Sequence, residues 1–318
     1  MKTTAFQKSI TVTITLTILL IGVGGLVRAT GSGLGCPDWP KCFGLWVPPT
    51  SVDLLPPQYD ANDFNVLKTW TEYLNRVFGV LVGFSIIVMT ALSIPQWKKR
   101  KSQTIFSVIT LLLVMFQGWL GAVVVKTELL HWVITLHMIV AMILLGTMLL
   151  TKHLSYSSTF FERNELSASL RKELFVFFLC ILTLTMAQVV IGTQVREEVD
   201  IIVNSMEWKD LPREFWLIKA GSIHEIHRSF SWSVFLLTVF LFVRMRKAII
   251  PQTVKFYSVV LGAGIMLQMV VGIILSYFHL PPVFQIIHLV LASILIATVL
   301  HIIFMLTIQR IQPTEKLV

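Results

Sequence analysis

Residues 72–76 read EYLNR and residues 224–228 read HEIHR. Each stretch opens a long apolar segment and ends in arginine. Aligned at an offset of 152, Glu72 meets His224, Asn75 meets His227 and Arg76 meets Arg228. The correspondence continues outward. FQGWLGAVV, around Gln117 and Gly121, lies opposite LQMVVGIIL, around Gln268 and Gly272. VITLHMIVAMIL lies opposite VFQIIHLVLASIL, so His137 meets His288. Further back, GGLVRATGSG and GTQVREEVD set Arg28 opposite Arg196. One half of the chain repeats the other.

The repeat is written in apolar runs. Of 318 residues, 55% are hydrophobic and only 14% charged, with a mean hydropathy of +0.78. A soluble globular domain carries about 25% charged residues. A helix needs ~20 apolar residues to cross the hydrocarbon core. Runs of that kind fall near 10–29, 73–95, 104–125, 130–151, 173–193, 227–245, 254–277 and 283–308. Backbone groups in lipid must be satisfied within the segment, so the runs are expected to be helices. The first continues into the chain without a small-residue cleavage site and reads as a retained helix. The expected fold is an all-α membrane protein of eight transmembrane helices. They form two pseudo-symmetric four-helix bundles, residues 1–152 and 153–318, related as parallel repeats about an axis along the membrane normal.

Lys and Arg orient the chain. With both termini cytoplasmic, the inner segments hold most of the basic residues: Lys2, Lys8, Lys98, Lys99, Arg100, Lys101, Lys152, Arg163, Arg171, Lys172, Arg244, Arg246, Lys247, Lys255, Arg310 and Lys316. The tight clusters WKKRK and RMRK are both inside, as the positive-inside rule expects. The net charge of +9 is thus a topology signal in the cell membrane and gives no reason to invoke nucleic acid.

Two outer loops are long, roughly 30–71 and 194–223, and long loops in compact proteins are usually functional. The first contains GCPDWPKC, with Cys36 and Cys42. In an oxidising compartment two such cysteines form a structural disulfide or a redox-active pair; the spacing alone leaves both open. Cys180 lies within a helix and reads as an inert core residue.

His227 and His288 fall near the outer starts of the sixth and eighth transmembrane helices, at similar depth in one bundle. Bundle cores hold cofactors through side chains on facing helices. Two imidazoles at one depth suit the two axial positions of a haem iron. Arg228 and Arg196 stand at the outer rim, where propionates need cationic partners. The alternative for each histidine is a hydrogen-bonded contact between helices. Ionisable residues within a membrane nonetheless mark functional sites by default. The first half keeps His137 but has Asn75 in place of His227, with Glu72 one turn before it on the same face. That pocket offers one imidazole, one open or weakly held iron position and a nearby carboxylate. His131 reads as a solvated interfacial residue.

Taken together, GGLVRATGSGLGCPDWPKC, EYLNR, TLH, GTQVRE, HEIHR and IIH resemble the haem A synthase family over nearly the whole chain. Members oxidise a methyl group of haem O to a formyl group, supplying haem A to terminal oxidases. The resemblance implies a haem b cofactor on His227 and His288 in the second half. It implies a haem O substrate in the first, with Glu72 as the essential carboxylate; the repeat sets His137 as the expected iron ligand there, with Asn75, Arg76 and Arg28 around it. The resemblance matches the family's outer cysteine pair to Cys36 and Cys42. Two successive hydroxylations would give a geminal diol that loses water to the aldehyde. Haem O synthase and terminal-oxidase assembly factors are further implied partners, and self-association is compatible with the reading. The chain departs from the family pattern at Asn75, where histidine is expected, and the second outer loop lacks the cysteines some relatives carry. Two rivals remain: a di-haem b-type cytochrome carrying electrons, and a transporter or haem-delivery protein.

Overall fold

The computed structural model of the chain describes residues 3–156, 166–205, 211–246 and 248–308. Its order is α1 (Ala5–Ala29), α2 (Val66–Ser93), α3 (Lys101–Lys126), α4 (His131–Leu154), α5 (Ala168–Asn204), the short α6 (Trp216–Ala220), α7 (Ser222–Arg246), α8 (Gln252–Tyr277) and α9 (Pro282–Thr307). All but α6 are long and apolar enough to cross a membrane, eight in total among the described residues. The chain is a multi-pass membrane protein. Lys2, Arg163, Lys247, Arg310 and Lys316, used above to orient it, lie outside the described residues.

Helix starts follow local chemistry. Thr4 and Gln7 form a reciprocal capping box at α1, satisfying two amide donors that a helix start leaves unpaired. Asn65 accepts from the Lys68 amide to begin α2, and Ser167 accepts from that of Leu170 to begin α5.

Helices α1 to α4 pack in a ring, α1 on α2, α2 on α3, α3 on α4, and α4 back on α1. Helices α5, α7, α8 and α9 pack in the same cyclic order, and the two rings meet where α1 and α4 lie against α9 and where α4 touches α5. This packing is consistent with two four-helix halves. Phe6, Ile10, Ile14, Val82, Ile86, Leu145 and Met148 fill the first ring; Leu174, Phe178, Ile181, Leu241, Leu261, Val299 and Ile302 fill the second. The outward faces are also apolar, with Phe84, Leu112, Leu236 and Phe240 exposed. Lipid is as apolar as the core, so helix association leans on close packing and hydrogen bonds between helices. Those bonds are present: the hydroxyls of Thr90 and Thr104 donate to the carbonyls of Ser107 and Ser93, and those of Thr135 and Thr193 lie 2.9 Å apart.

Two expectations are corrected. The segment from 194 is not a loop at its start: α5 continues through Val195, Arg196 and Asp200 to Asn204. No helix breaker interrupts it, and Arg196 pairs with Asp200 one turn on. At 37 residues and 1.5 Å per residue it is about 55 Å long, well beyond the ~30 Å hydrocarbon core. Cys180 is not in the core; it is exposed on the outer face of α5, where a small apolar side chain is as well placed as inside.

Candidate functional site

One cavity of about 1710 Å³ runs through the end of the molecule that carries the 30–65 loop, and residues of both rings line it. His137, Asn75 and Glu72 contribute from the first ring, His227, His288 and Arg228 from the second.

In the second ring His227 of α7 faces His288 of α9, with ring centroids 6.3 Å apart. That separation is too wide for direct hydrogen bonding and leaves room for a metal ion, whose bond to an imidazole nitrogen is about 2 Å. Glycines make space for both rings. A Cβ on Gly192 of α5 would lie 3.1 Å from His227 Cε1, and one on Gly272 of α8 would lie 3.6 Å from His288 Cε1. Glutamines tie the histidine-bearing turns to their neighbours: Gln188 Nε2 donates to the His227 carbonyl at 2.7 Å, and Gln268 Nε2 to the His288 carbonyl at 3.0 Å. The Nδ1 atoms of both imidazoles are buried without a partner.

The first ring repeats this frame with one change. A Cβ on Gly121 would lie 3.6 Å from His137 Cε1, matching Gly272 and His288. Gln117 Nε2 donates to the His137 carbonyl at 2.9 Å, and His137 Nδ1 is again unpartnered. At the fourth place stands Asn75. Its Oδ1 lies 4.0 Å from where a Cβ on Gly24 would be, and that oxygen is buried and unpartnered. His131, read from sequence as solvated, lines the cavity with its Nδ1 buried.

Glu72 is buried in the wall of α2, and both its oxygens are engaged. Oε2 accepts from the Cys36 amide at 2.8 Å, and Oε1 accepts from Nε and Nη2 of Arg76. Arg76 also donates to the carbonyls of Asp38, Lys41 and Cys36. Its five hydrogen bonds equal the five donors of a guanidinium. Cys36 and Cys42 form a disulfide, with Cα atoms 4.8 Å apart, so Arg76 sits in a cradle of carbonyls that the disulfide closes. Thr69 fixes the loop further by donating to the Gly35 carbonyl. Only glycine fits at 35, since a Cβ there would lie 2.4 Å from the Lys68 carbonyl oxygen.

At the seam of the rings a residue that the sequence did not single out takes a central place. Asp200 bridges Arg28 at 3.0 Å and Arg196 at 2.8 Å. Arg196 also donates to the Gln285 side-chain oxygen and to the Arg28 carbonyl. Arg228 lines the cavity from an exposed position. Three glutamines, Asp200 and Gly192 thus complete a site whose histidines were legible alone. Gln117 and Gln268 did carry a signal, being matched by the repeat.

A family model described as cytochrome oxidase assembly protein matches residues 7–300. The chain belongs to this family. Among family members, a haem A synthase of Wolbachia pipientis wMel is 23% identical over 94% of this chain and 91% of its own length. A haem A synthase of Rickettsia africae is 24% identical over 96% and 99%. One from Shewanella oneidensis is 31% identical, but over 44% of this chain and 42% of its own. The family match spans both rings, so the cavity and its repeated frame lie wholly inside the matched region.

Proposed function

We propose that the chain is a haem A synthase, an oxidoreductase acting on a C–H group. It takes haem O as substrate in residues 1–152, holds haem b in residues 153–318, and converts a haem O methyl group to formyl. The observation that carries this reading is the asymmetric repeat around one cavity: a facing pair of imidazoles in one ring, and His137 with Asn75 in the same frame of the other. The donor set fits a haem: two buried imidazoles with ring centroids 6.3 Å apart would be its iron ligands.

Haem b, once bound, supplies one-electron chemistry. His227 and His288 would together hold it as a resident group. His137 would hold the substrate as the single imidazole of its ring, which suits a molecule that must enter and leave. Asn75 presents an amide toward the face where its counterpart presents an imidazole. Glu72 is assigned to positioning the substrate edge and moving protons, from a wall that it also ties to the disulfide loop. Arg28, Arg196 and Arg228 are the cations for carboxylates at the rim. Arg76 contributes indirectly, since its donors hold the loop.

The orientation follows. Lys98, Lys99, Arg100, Lys101, Arg244 and Arg246 gather at the end opposite the disulfide. Basic clusters favour the cytoplasmic side and disulfides the oxidising one. The termini therefore face the cytoplasm and the cavity's loop end faces outward. Haem O synthase and oxidase assembly factors are the partners on this reading.

The test uses membranes of a host that makes haem O, with and without the protein. Chromatography of extracted pigments should show haem A only with it. Bound haem b without haem A would instead favour an electron-carrying cytochrome.

A further inference from the structure

Three of the cavity histidines, His137, His227 and His288, are each coupled to one glutamine on a neighbouring helix. Gln117 serves His137, Gln188 serves His227 and Gln268 serves His288, each through Nε2 to the histidine's own carbonyl at 2.7–3.0 Å. All three couples leave the same two atoms buried without a partner, the glutamine Oε1 and the histidine Nδ1. One is an obligate acceptor and the other a ring nitrogen able to donate. An unpaired buried polar atom costs about 1–3 kcal/mol, and here the same complementary pair recurs three times. An amide pinned by its nitrogen to a residue's carbonyl carries its oxygen close to that same residue.

The fourth place in the frame is an internal control. Gln188 lies eight residues before Arg196. Eight residues before Arg28, its counterpart, stands Leu20. So where the imidazole is replaced by Asn75, the glutamine is replaced as well. A glutamine that only tethered helices would serve equally at the Asn75 position.

We propose that Gln117, Gln188 and Gln268 are positioning residues for the haem-facing histidines. Each side-chain oxygen is linked to the Nδ1–H of its histidine through one bridging water, which fixes the tautomer and leaves Nε2 to the iron. Metal-bound histidines are generally held by such an acceptor on the second nitrogen, which raises ligand basicity; losing it typically costs 10–100-fold in metal affinity. The inference rests on the haem reading above.

The experiment uses the full-length protein in detergent and reads haem b binding by titration, together with the haem midpoint potential. Gln188→Leu and Gln268→Leu should each weaken haem b about 10–100-fold and raise the potential, because a less basic imidazole favours ferric iron less. Gln268→Glu presents a stronger acceptor and should lower the potential below wild type. A mere helix tether predicts that Glu fails as Leu does, since both lose the amide donor, and that outcome overturns the proposal. So do Leu variants with wild-type affinity and potential. If a Leu variant fails to fold, a second arm decides: Asn75→His combined with Leu20→Gln should take up a second low-spin haem more tightly than Asn75→His alone, and equal uptake overturns the proposal. Wild-type protein that takes up no haem b overturns the haem reading itself, and this inference with it.

Discussion

The Glu72 carboxylate accepts a hydrogen bond from the Cys36 amide at 2.8 Å, joining a cavity-wall residue to the disulfide loop across 36 positions of sequence. With Arg76 held between Glu72 and three loop carbonyls, pocket wall and loop form one unit.

That unit sets an order of stabilities. Arg76→Ala leaves Glu72 as a buried charge without its partner and should cost about 3–5 kcal/mol. Glu72→Gln removes the charge and leaves Arg76 its carbonyl acceptors, so it should melt higher than Arg76→Ala. Thermal melts of the purified proteins check the order, and identical melts contradict it. Haem chromatography on Glu72→Gln should show haem b retained while haem A falls at least tenfold.

The paired imidazoles make a separable prediction. His227→Ala and His288→Ala should each abolish the low-spin haem b spectrum, whereas His137→Ala should keep most of it. Absorption spectra of the three purified variants decide, and a full spectrum in both second-half variants rules the assignment out.

Glycine substitutions test the cradle. A methyl on Gly192 meets His227 Cε1 at 3.1 Å, while one on Gly272 meets His288 at an ordinary 3.6 Å. Gly192→Ala should therefore lower haem b occupancy severalfold and Gly272→Ala should not. Helix propensity pulls the other way at both sites, favouring Ala over Gly by about 1 kcal/mol. A loss of haem at Gly192 thus reports contact with the ring. Equal occupancy in the two variants speaks against the cradle.

Asn75→His should restore a second imidazole to the first ring. The variant should retain haem O more tightly and turn over more slowly, read as bound haem O against haem A formed. Faster turnover would show that ligation from both sides is compatible with the reaction.

Alkylation with and without reductant should show Cys36 and Cys42 oxidised in protein from intact membranes. For so short a loop the chain-entropy contribution is about 2 kcal/mol. Replacing both with Ser should lower the melting temperature and leave the second-ring haem spectrum unchanged; a lost spectrum would place the loop's influence in the other ring.

The fold was legible because each spanning helix carries its own signal, a run of apolar residues long enough for the bilayer. The histidines were legible because the repeat set them side by side at matched depth. What the sequence withheld depended on partners far apart in the chain. Nothing local ties Glu72 to a loop amide. Gln188 has no glutamine in the other half, so the repeat passes over it. Asp200 was hidden by the expectation of a loop from residue 194, and its role exists only because α5 continues past the hydrocarbon core. Cys180 was misplaced by a rule for soluble proteins, in which a small apolar side chain belongs inside.

Asp200 brings one negative charge to two guanidinium groups, Arg28 from one ring and Arg196 from the other. Among these three residues one positive charge is therefore left over and belongs to neither half. An anionic group docking beside Arg28 would release part of Asp200 to Arg196, and one docking beside Arg196 would do the reverse. By linkage, any such influence is equal in both directions. Were one half of the cavity loaded with such an anion, its charge would reach the other without movement of a helix, through the division of a single carboxylate.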